Sequence, residues 1–200
     1  MKIIEPFAEL IDNINAAEIY NKIERCGRVS HQSESKGKPE EFIRKIISLG
    51  HESVLEHASL TFHIICDRAI QNELVRHRHA SFTVESTRYV KYDDELTFIL
   101  AKFQTKTKEL SLRPISLHEA VADYQFLIEK GFPPEQARAV LPLCLKSELY
   151  MTANLRAWRH ILKLRTSKAA HPQMRQIMNQ ILDIFRDKLP VIVEDIEGGD

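Results

Sequence analysis

Six glycines serve 200 residues, at Gly27, Gly37, Gly50, Gly131, Gly198 and Gly199. That spacing excludes the glycine-rich GxGxxG turn and the P-loop, both of which cradle phosphates on bare backbone amides. If such a chain holds a phosphorylated ligand, side chains must neutralise it. Arginine is suited to this, being always charged, planar, and able to donate two parallel hydrogen bonds to a phosphate. A local supply exists in RHRHASFTVESTRY, residues 76–89, where Arg76, Arg78 and Arg88 face one acid, Glu85. Basic residues at a helix end complement its dipole by ~0.3–1 kcal/mol each, and an isolated RHR would need no other reason. Here Ser81, Thr83, Ser86 and Thr87 are interleaved with them, and hydroxyls beside guanidiniums make a polyanion cradle.

Lys plus Arg and Asp plus Glu both total 28. With no net field to draw the chain to nucleic acid or an acidic surface, the anion site must be local. A hydrophobic share of 44% and a charged share of 28% fit a soluble globular protein. The three cysteines, Cys26, Cys66 and Cys144, are odd in number and far apart, as expected of reduced thiols in the cytoplasm. No signal peptide or membrane span is expected.

Periodicity predicts an α+β fold: one helix-rich domain over residues 1–200 with a small central, mostly antiparallel sheet. AAEIYNKIERCG reads as a helix closed by Gly27, followed by a polar loop over 30–38. Pro39 opens the next helix, with Phe42, Ile46 and Leu49 on one side. SLTFHIIC alternates Leu60, Phe62, Ile64 and Cys66 against polar neighbours, the clearest half-buried strand. Asp67 caps RAIQNELVRH, and FILAKF is a candidate short strand. Ser116 and Glu119 form a capping box before a helix that Gly131 stops. PEQARAVL is a short helix and SELYMTA is extended. Asn154 caps NLRAWRHILKLR. Pro172 begins an amphipathic helix carrying Ile177, Ile181, Ile184 and Phe185, and VEDIEGGD reads as a solvated tail.

The order RHR, seven residues, then S-x-R resembles the signature of the flavin-dependent thymidylate synthases, the ThyX family. Here it is Arg76, His77, Arg78, then Ser86, Thr87, Arg88. GRVS at 27–30, GHES with EH at 50–57, LTFHI at 60–64, ARAVLP at 137–142 and NLRAW with LKLR out to Arg165 are similar to family blocks, in family order. The resemblance implies a homotetramer with FAD bound where subunits meet. It implies methylation of dUMP to dTMP, with methylenetetrahydrofolate supplying the carbon and NADPH the reducing equivalents.

By the same resemblance Arg165 is the catalytic group, stabilising negative charge that builds on the uracil ring. The flavin would meet His51, Ser53, Arg76, His77, Arg78, Glu85, Asn154, Arg156 and His160. The nucleotide would meet Glu73, Arg76, Glu85, Ser86, Thr87, Arg88, Arg138 and Arg165, with Tyr89 closing the pocket. This chain departs from the family at Glu73, where members often carry Gln. A carboxylate there is either protonated or turned to ribose hydroxyls. Thr83 and Val84 replace a common Asn-Glu, so that Glu85 stands one position late.

Two further candidates yield to simpler readings. LPLC places Cys144 between Leu143 and Leu145, where a thiol is a small buried apolar residue rather than a nucleophile. His51, His57 and His63 are six apart, without the i, i+4 spacing of HExxH, and no metal is expected. His63 on the alternating strand reads as a satisfied, partly buried histidine, and Ser86 as a hydrogen-bonding residue. The rival reading is a nucleic-acid-binding module using RHRH, which requires a basic domain; the pI is about 7.1. A helical scaffold that pairs through apolar faces is the third.

Overall fold

A computed structural model describes residues 1–35, 37–92, 95–100 and 114–199, with the backbone alone for 114–116. Its strands are β1 (Lys2–Ile3), β2 (Phe7–Leu10), β3 (Ser59–Asp67), β4 (Ala80–Val84), β5 (Thr97–Phe98) and β6 (Lys146–Asn154). Its helices are α1 (Ala16–Arg28), α2 (Pro39–Ser48), α3 (Arg68–Leu74), α4 (Pro114–Glu129), α5 (Pro134–Ala137), α6 (Leu155–Arg165), α7 (Pro172–Lys188) and α8 (Pro190–Val193). Short 3-10 turns cover Val29–His31, Glu52–His57 and Arg138–Val140. The class is α+β, helices with a small antiparallel sheet. The four-stranded sheet runs β2-β3-β6-β4, and β1 pairs separately and in parallel with β5, Lys2 opposite Thr97 and Ile3 opposite Phe98.

Residue contacts divide the chain into two compact units. Unit 1 comprises Met1–Phe7, Ile64–Arg76 and Thr83–Leu149; unit 2 comprises Ala8–His63, His77–Phe82 and Tyr150–Asp200. In unit 1, Leu96, Phe98, Leu117, Tyr124, Ala137 and Leu145 form a buried cluster, with Cys144 packed against it. In unit 2, the rings of Phe62 and Trp158 meet edge to face at 5.0 Å, and Phe62 stacks on Phe185 at 5.8 Å. Trp158 sends its indole N–H to the Leu60 carbonyl at 3.0 Å, so the largest core side chain is both buried and satisfied.

Local chemistry explains several element ends. Leu60, Phe62, Ile64 and Cys66 are all buried along β3, as alternation predicts. Asp67 accepts from the Ile70 amide at 2.8 Å and Asn154 from the Ala157 amide at 2.8 Å, each satisfying an amide that the helix itself leaves open. Gly131 takes a left-handed φ of 87° just past α4, a conformation glycine adopts without strain. His63 bonds Glu9 at 2.7 Å and stacks on Tyr150 at 4.8 Å, partly buried as expected.

Several expectations are corrected. Gly27 does not close α1; it lies buried inside it. A Cβ there would come within 2.6 Å of Phe42 Cζ, so the glycine serves close packing. On α2 the buried pair is Ile43 and Ile46, while Leu49 is exposed. α3 stops at Leu74 rather than His77, and residues 80–84 form β4. α4 begins at Pro114, placing Ser116 within the helix instead of at its cap. Of FILAKF, only Phe98 belongs to a strand, and residues 101–103 lie outside the described residues.

The acids of the C-terminal tail, Glu194, Asp195 and Glu197, are exposed as expected, but the tail is also anchored. Ile196 is buried, and the Asn179 side-chain amide donates to the Gly199 carbonyl at 2.7 Å. Asp195 is paired with Arg159. Among the described residues no helix is long and apolar enough to cross a membrane.

Candidate functional site

α6 carries four of the expected site positions, counting its cap. Its apolar stripe runs Leu155, Trp158, Ile161 and Leu162, all buried, while Arg156 and His160 are exposed on the outer side. Asn154 uses its side-chain oxygen to cap the helix, leaving the amide NH2 as the group it can offer outward. Arg165 closes the helix, half-buried, and donates from Nε to Nε2 of His77 at 3.0 Å. Accepting that bond requires a neutral imidazole with its proton on Nδ1. Burial, then the neighbouring Arg165 and His160 charges, pull the His77 pKa down to about 4. Two members of the expected site are thus brought into direct contact within unit 2.

His51 and Ser53 flank Glu52 where the 3-10 turn begins, and both are exposed. They line a cleft of about 1100 Å³ together with Arg28, Phe42, Lys45 and Ile46. The lining mixes cations, hydroxyls and apolar side chains with two acids, Glu34 and Glu41, a combination suited to a ligand with both polar groups and a ring system. No glycine-rich turn is needed in such a place.

In unit 1, Arg138 Nη1 donates to Thr87 Oγ1 at 2.9 Å, and Thr87 is buried. Arg138 and Arg88 are exposed; the Arg88 guanidinium lies over the Tyr89 ring at 5.5 Å and 3.8 Å from Glu135. Tyr89 itself is largely exposed. Ser86 Oγ accepts from the Arg88 amide at 3.3 Å, a hydrogen-bonding role. Glu73 stands partly buried on α3, and its carbonyl accepts from the Arg76 amide at 3.2 Å. Arg76 and Arg78 are exposed, with Arg76 assigned to unit 1 and His77 and Arg78 to unit 2.

Glu85 has a different setting from the one its place in the signature invites. Its two carboxylate oxygens receive the Tyr92 hydroxyl at 2.5 Å and the Lys146 ammonium at 2.7 Å. Lys146 also bonds Glu148 at 2.8 Å. Burial, then the hydrogen bond to Glu85, push the Tyr92 pKa up. Glu85 therefore anchors the segment before Ser86, Thr87 and Arg88, and Lys146 and Tyr92 are partners that motif reading does not supply. Cys144 is half-buried and its thiol pKa is raised by burial, which opposes a thiolate role.

Arg159 is another residue that the motifs do not name. Only 1% of its side chain is exposed, yet it pairs with Glu52 at 2.9 Å and Asp195 at 2.7 Å. The hydrogen bond from Arg159 holds the Asp195 carboxyl well below the usual range. The readable signal is period: Leu155, Trp158, Arg159 and Leu162 share one helix face, and a lone arginine in an apolar stripe demands buried partners. Among the described residues no group of three His, Cys, Asp or Glu could hold a metal ion.

A profile of the family described as "Thymidylate synthase complementing protein" matches residues 9–191. The chain belongs to this family. Among its relatives is a "Probable flavin-dependent thymidylate synthase" of Mycobacterium phage L5, 36% identical over 185 residues, 86% of this chain and 76% of that protein. The flavin-dependent thymidylate synthase of Pyrococcus furiosus is 35% identical over 80% of this chain and 68% of its own. Among solved structures, the UMP/dUMP methylase PolB from Streptomyces cacaoi, bound with 5-Br dUMP, superposes with a TM-score of 0.84 at 26% identity. That match covers 97% of this chain and 96% of PolB. Neither rival reading gains support from these matches.

Proposed function

We propose that this member of the thymidylate synthase complementing family is a flavin-dependent thymidylate synthase, methylating dUMP to dTMP. The observation that carries the reading is Arg165, half-buried at the end of α6 and aimed by a neutral His77. C5 of uracil is a weak nucleophile, and its attack on a one-carbon donor requires negative charge to build on N3 and the carbonyl oxygens. A fixed guanidinium stabilises that charge without reorganising at the moment of reaction. His77 holds the arginine as a neutral hydrogen-bond acceptor, which fixes the plane of the guanidinium.

The dUMP phosphate carries ~2 negative charges near neutral pH. Arg88 and Arg138 are the exposed cations of unit 1 suited to it, with Thr87 fixing the Arg138 fork and Ser86 shaping the turn. Glu73 and Arg76 complete the nucleotide side in this reading, and Glu85 acts by holding the segment in place. His51, Ser53, Arg78, Asn154, Arg156 and His160 are the groups that would hold FAD, and of these His51 and Ser53 line the cleft. When bound, FAD supplies reducing equivalents, drawn from NADPH, that convert the carbon of methylenetetrahydrofolate to a methyl group. Cys144 takes no part. The reading includes a single catalytic domain, a homotetramer with subunits meeting at the active sites, and a cytoplasmic setting.

The test is direct. Purified protein should be yellow with FAD and should couple NADPH oxidation to dTMP formation from dUMP and methylenetetrahydrofolate. Folded, FAD-loaded protein that makes no dTMP would overturn the assignment.

A further inference from the structure

One guanidinium ties three chain segments of unit 2 together. Arg159, on α6, reaches Glu52 Oε1 from Nε at 3.2 Å and from Nη2 at 2.9 Å. Nη1 donates to Asp195 Oδ1 at 2.7 Å and Nη2 to Asp195 Oδ2 at 2.9 Å. Nη1 also donates to the Ile192 carbonyl. Lys163 Nζ lies 2.9 Å from Asp195 Oδ2, so two cations and two carboxylates balance around a buried centre. A buried charge is tolerated only when paired and fully hydrogen-bonded, and here every arm of the fork is used.

What the clamp holds is the Glu52–His57 turn. Glu52 sits between His51 and Ser53, and both of those line the cleft. The turn is also tied by its far end to the same helix, through Arg156 Nη1 and Glu56 Oε1 at 2.5 Å. The two ties differ in kind. Arg156 and Glu56 are about half exposed, and such pairs contribute little because water screens them. Arg159 is desolvated and bonded from both sides. The register of the turn against α6 therefore rests on Arg159, leaving the exposed Arg156 able to exchange partners.

We infer that Arg159 is a positioning residue for the flavin site, acting through Glu52 to fix His51 and Ser53, with the C-terminal segment 192–195 as the brace on its other side. This rests on the proposed function, since it gives the cleft beside His51 and Ser53 to FAD. A lysine at 159 would keep the charge but lacks the planar fork needed to span two carboxylates and a carbonyl.

The experiment is FAD titration by fluorescence on the full chain, with melting temperature read in parallel. Arg159→Lys should weaken FAD binding about tenfold or more and speed amide hydrogen exchange over residues 51–57. The comparison is Phe98→Leu, a cavity in the buried core of unit 1, which supplies neither His51 nor Ser53. With a similar loss of melting temperature it should bind FAD within twofold of the parent. If Arg159→Lys does not fold, Glu52→Gln is measured in its place, with the same direction expected. Parent-like FAD affinity in the folded Arg159→Lys or Glu52→Gln protein would overturn the inference alone. Equal FAD loss in Phe98→Leu would reduce Arg159 to a general stabiliser. A parent chain that binds no FAD would overturn the function and this inference together.

Discussion

Arg165 Nε donates to His77 Nε2 at 3.0 Å, joining the RHR segment to the end of α6 within unit 2. The bond fixes the plane of a cation by an acceptor that brings no charge of its own. Arg165→Ala should therefore lower turnover by the equivalent of ~2–4 kcal/mol of barrier, as loss of an oxyanion-type donor does. FAD binding, measured by titration, should change far less. Equal loss of both would make Arg165 a structural residue.

The same pair sets a pH dependence. His77 titrates near 4 in the folded chain, against ~6.5 unfolded. The folded state disfavours the proton, so stability is fully present above about pH 6.5. It declines as pH falls from there towards about 4, because the unfolded chain binds the proton first. Urea unfolding across pH 7 to 4 should show this slope. His77→Gln, which keeps a hydrogen-bond acceptor but cannot titrate, should flatten it. Asp195, whose folded pKa is held low by Arg159, contributes stability that is present above the unfolded carboxylate value of ~3.9 and lost as pH falls from there through the folded one, so its window lies below that of His77.

Local chemistry is legible in the sequence where one residue has one strong use. Asp67 and Asn154 begin helices and Gly131 ends one, as their side chains or φ dictate, and β3 buries its alternating face. Gly27 misleads because helix closure and close packing both favour glycine, and only the position of Phe42 tells them apart. The tail is read only in part because its acids are exposed as they look, while the pairing of Asp195 with the buried Arg159 has no local signal. At the site, the signature names His77 and a later family block names Arg165, but neither gives their bond; the signature segment ends at Arg88. It also places Glu85 in the ligand's path, while Tyr92 and Lys146 occupy both of its oxygens. Those partners come from sequence-distant segments with no motif of their own.

On the nucleotide side, Thr87 is buried and takes a charge-assisted hydrogen bond from Arg138 at 2.9 Å. Thr87→Val keeps the shape and removes the acceptor of Nη1, leaving Nε on the Glu135 carbonyl at 3.3 Å and the guanidinium less firmly aimed. The KM for dUMP should rise about tenfold, matching ~1.4 kcal/mol for one charge-assisted bond. FAD affinity should hold within twofold, since Thr87 and Arg138 belong to unit 1. Steady-state kinetics with dUMP, alongside FAD titration, separates the two effects.

Lys146 stands between Glu85 and Glu148, with side-chain exposures of 21%, 14% and 40% respectively. Burial lowers its pKa, but bonds to Glu148 and Glu85 outweigh this and leave it raised. Its contribution is therefore present below ~10.4 and lost only as pH rises through the folded value. Lys146→Met would leave two carboxylates facing each other, with Glu85 still bonded to Tyr92, and should destabilise by about 1–3 kcal/mol in urea unfolding at pH 7. Like charges drive protonation, so the deficit should shrink as pH falls towards 5. Adding Glu85→Gln to Lys146→Met should restore part of the loss, because the stranded charge is gone. A double variant no better than the sum of its singles would mean that the two groups do not couple, and that Glu85 is held by Tyr92 alone.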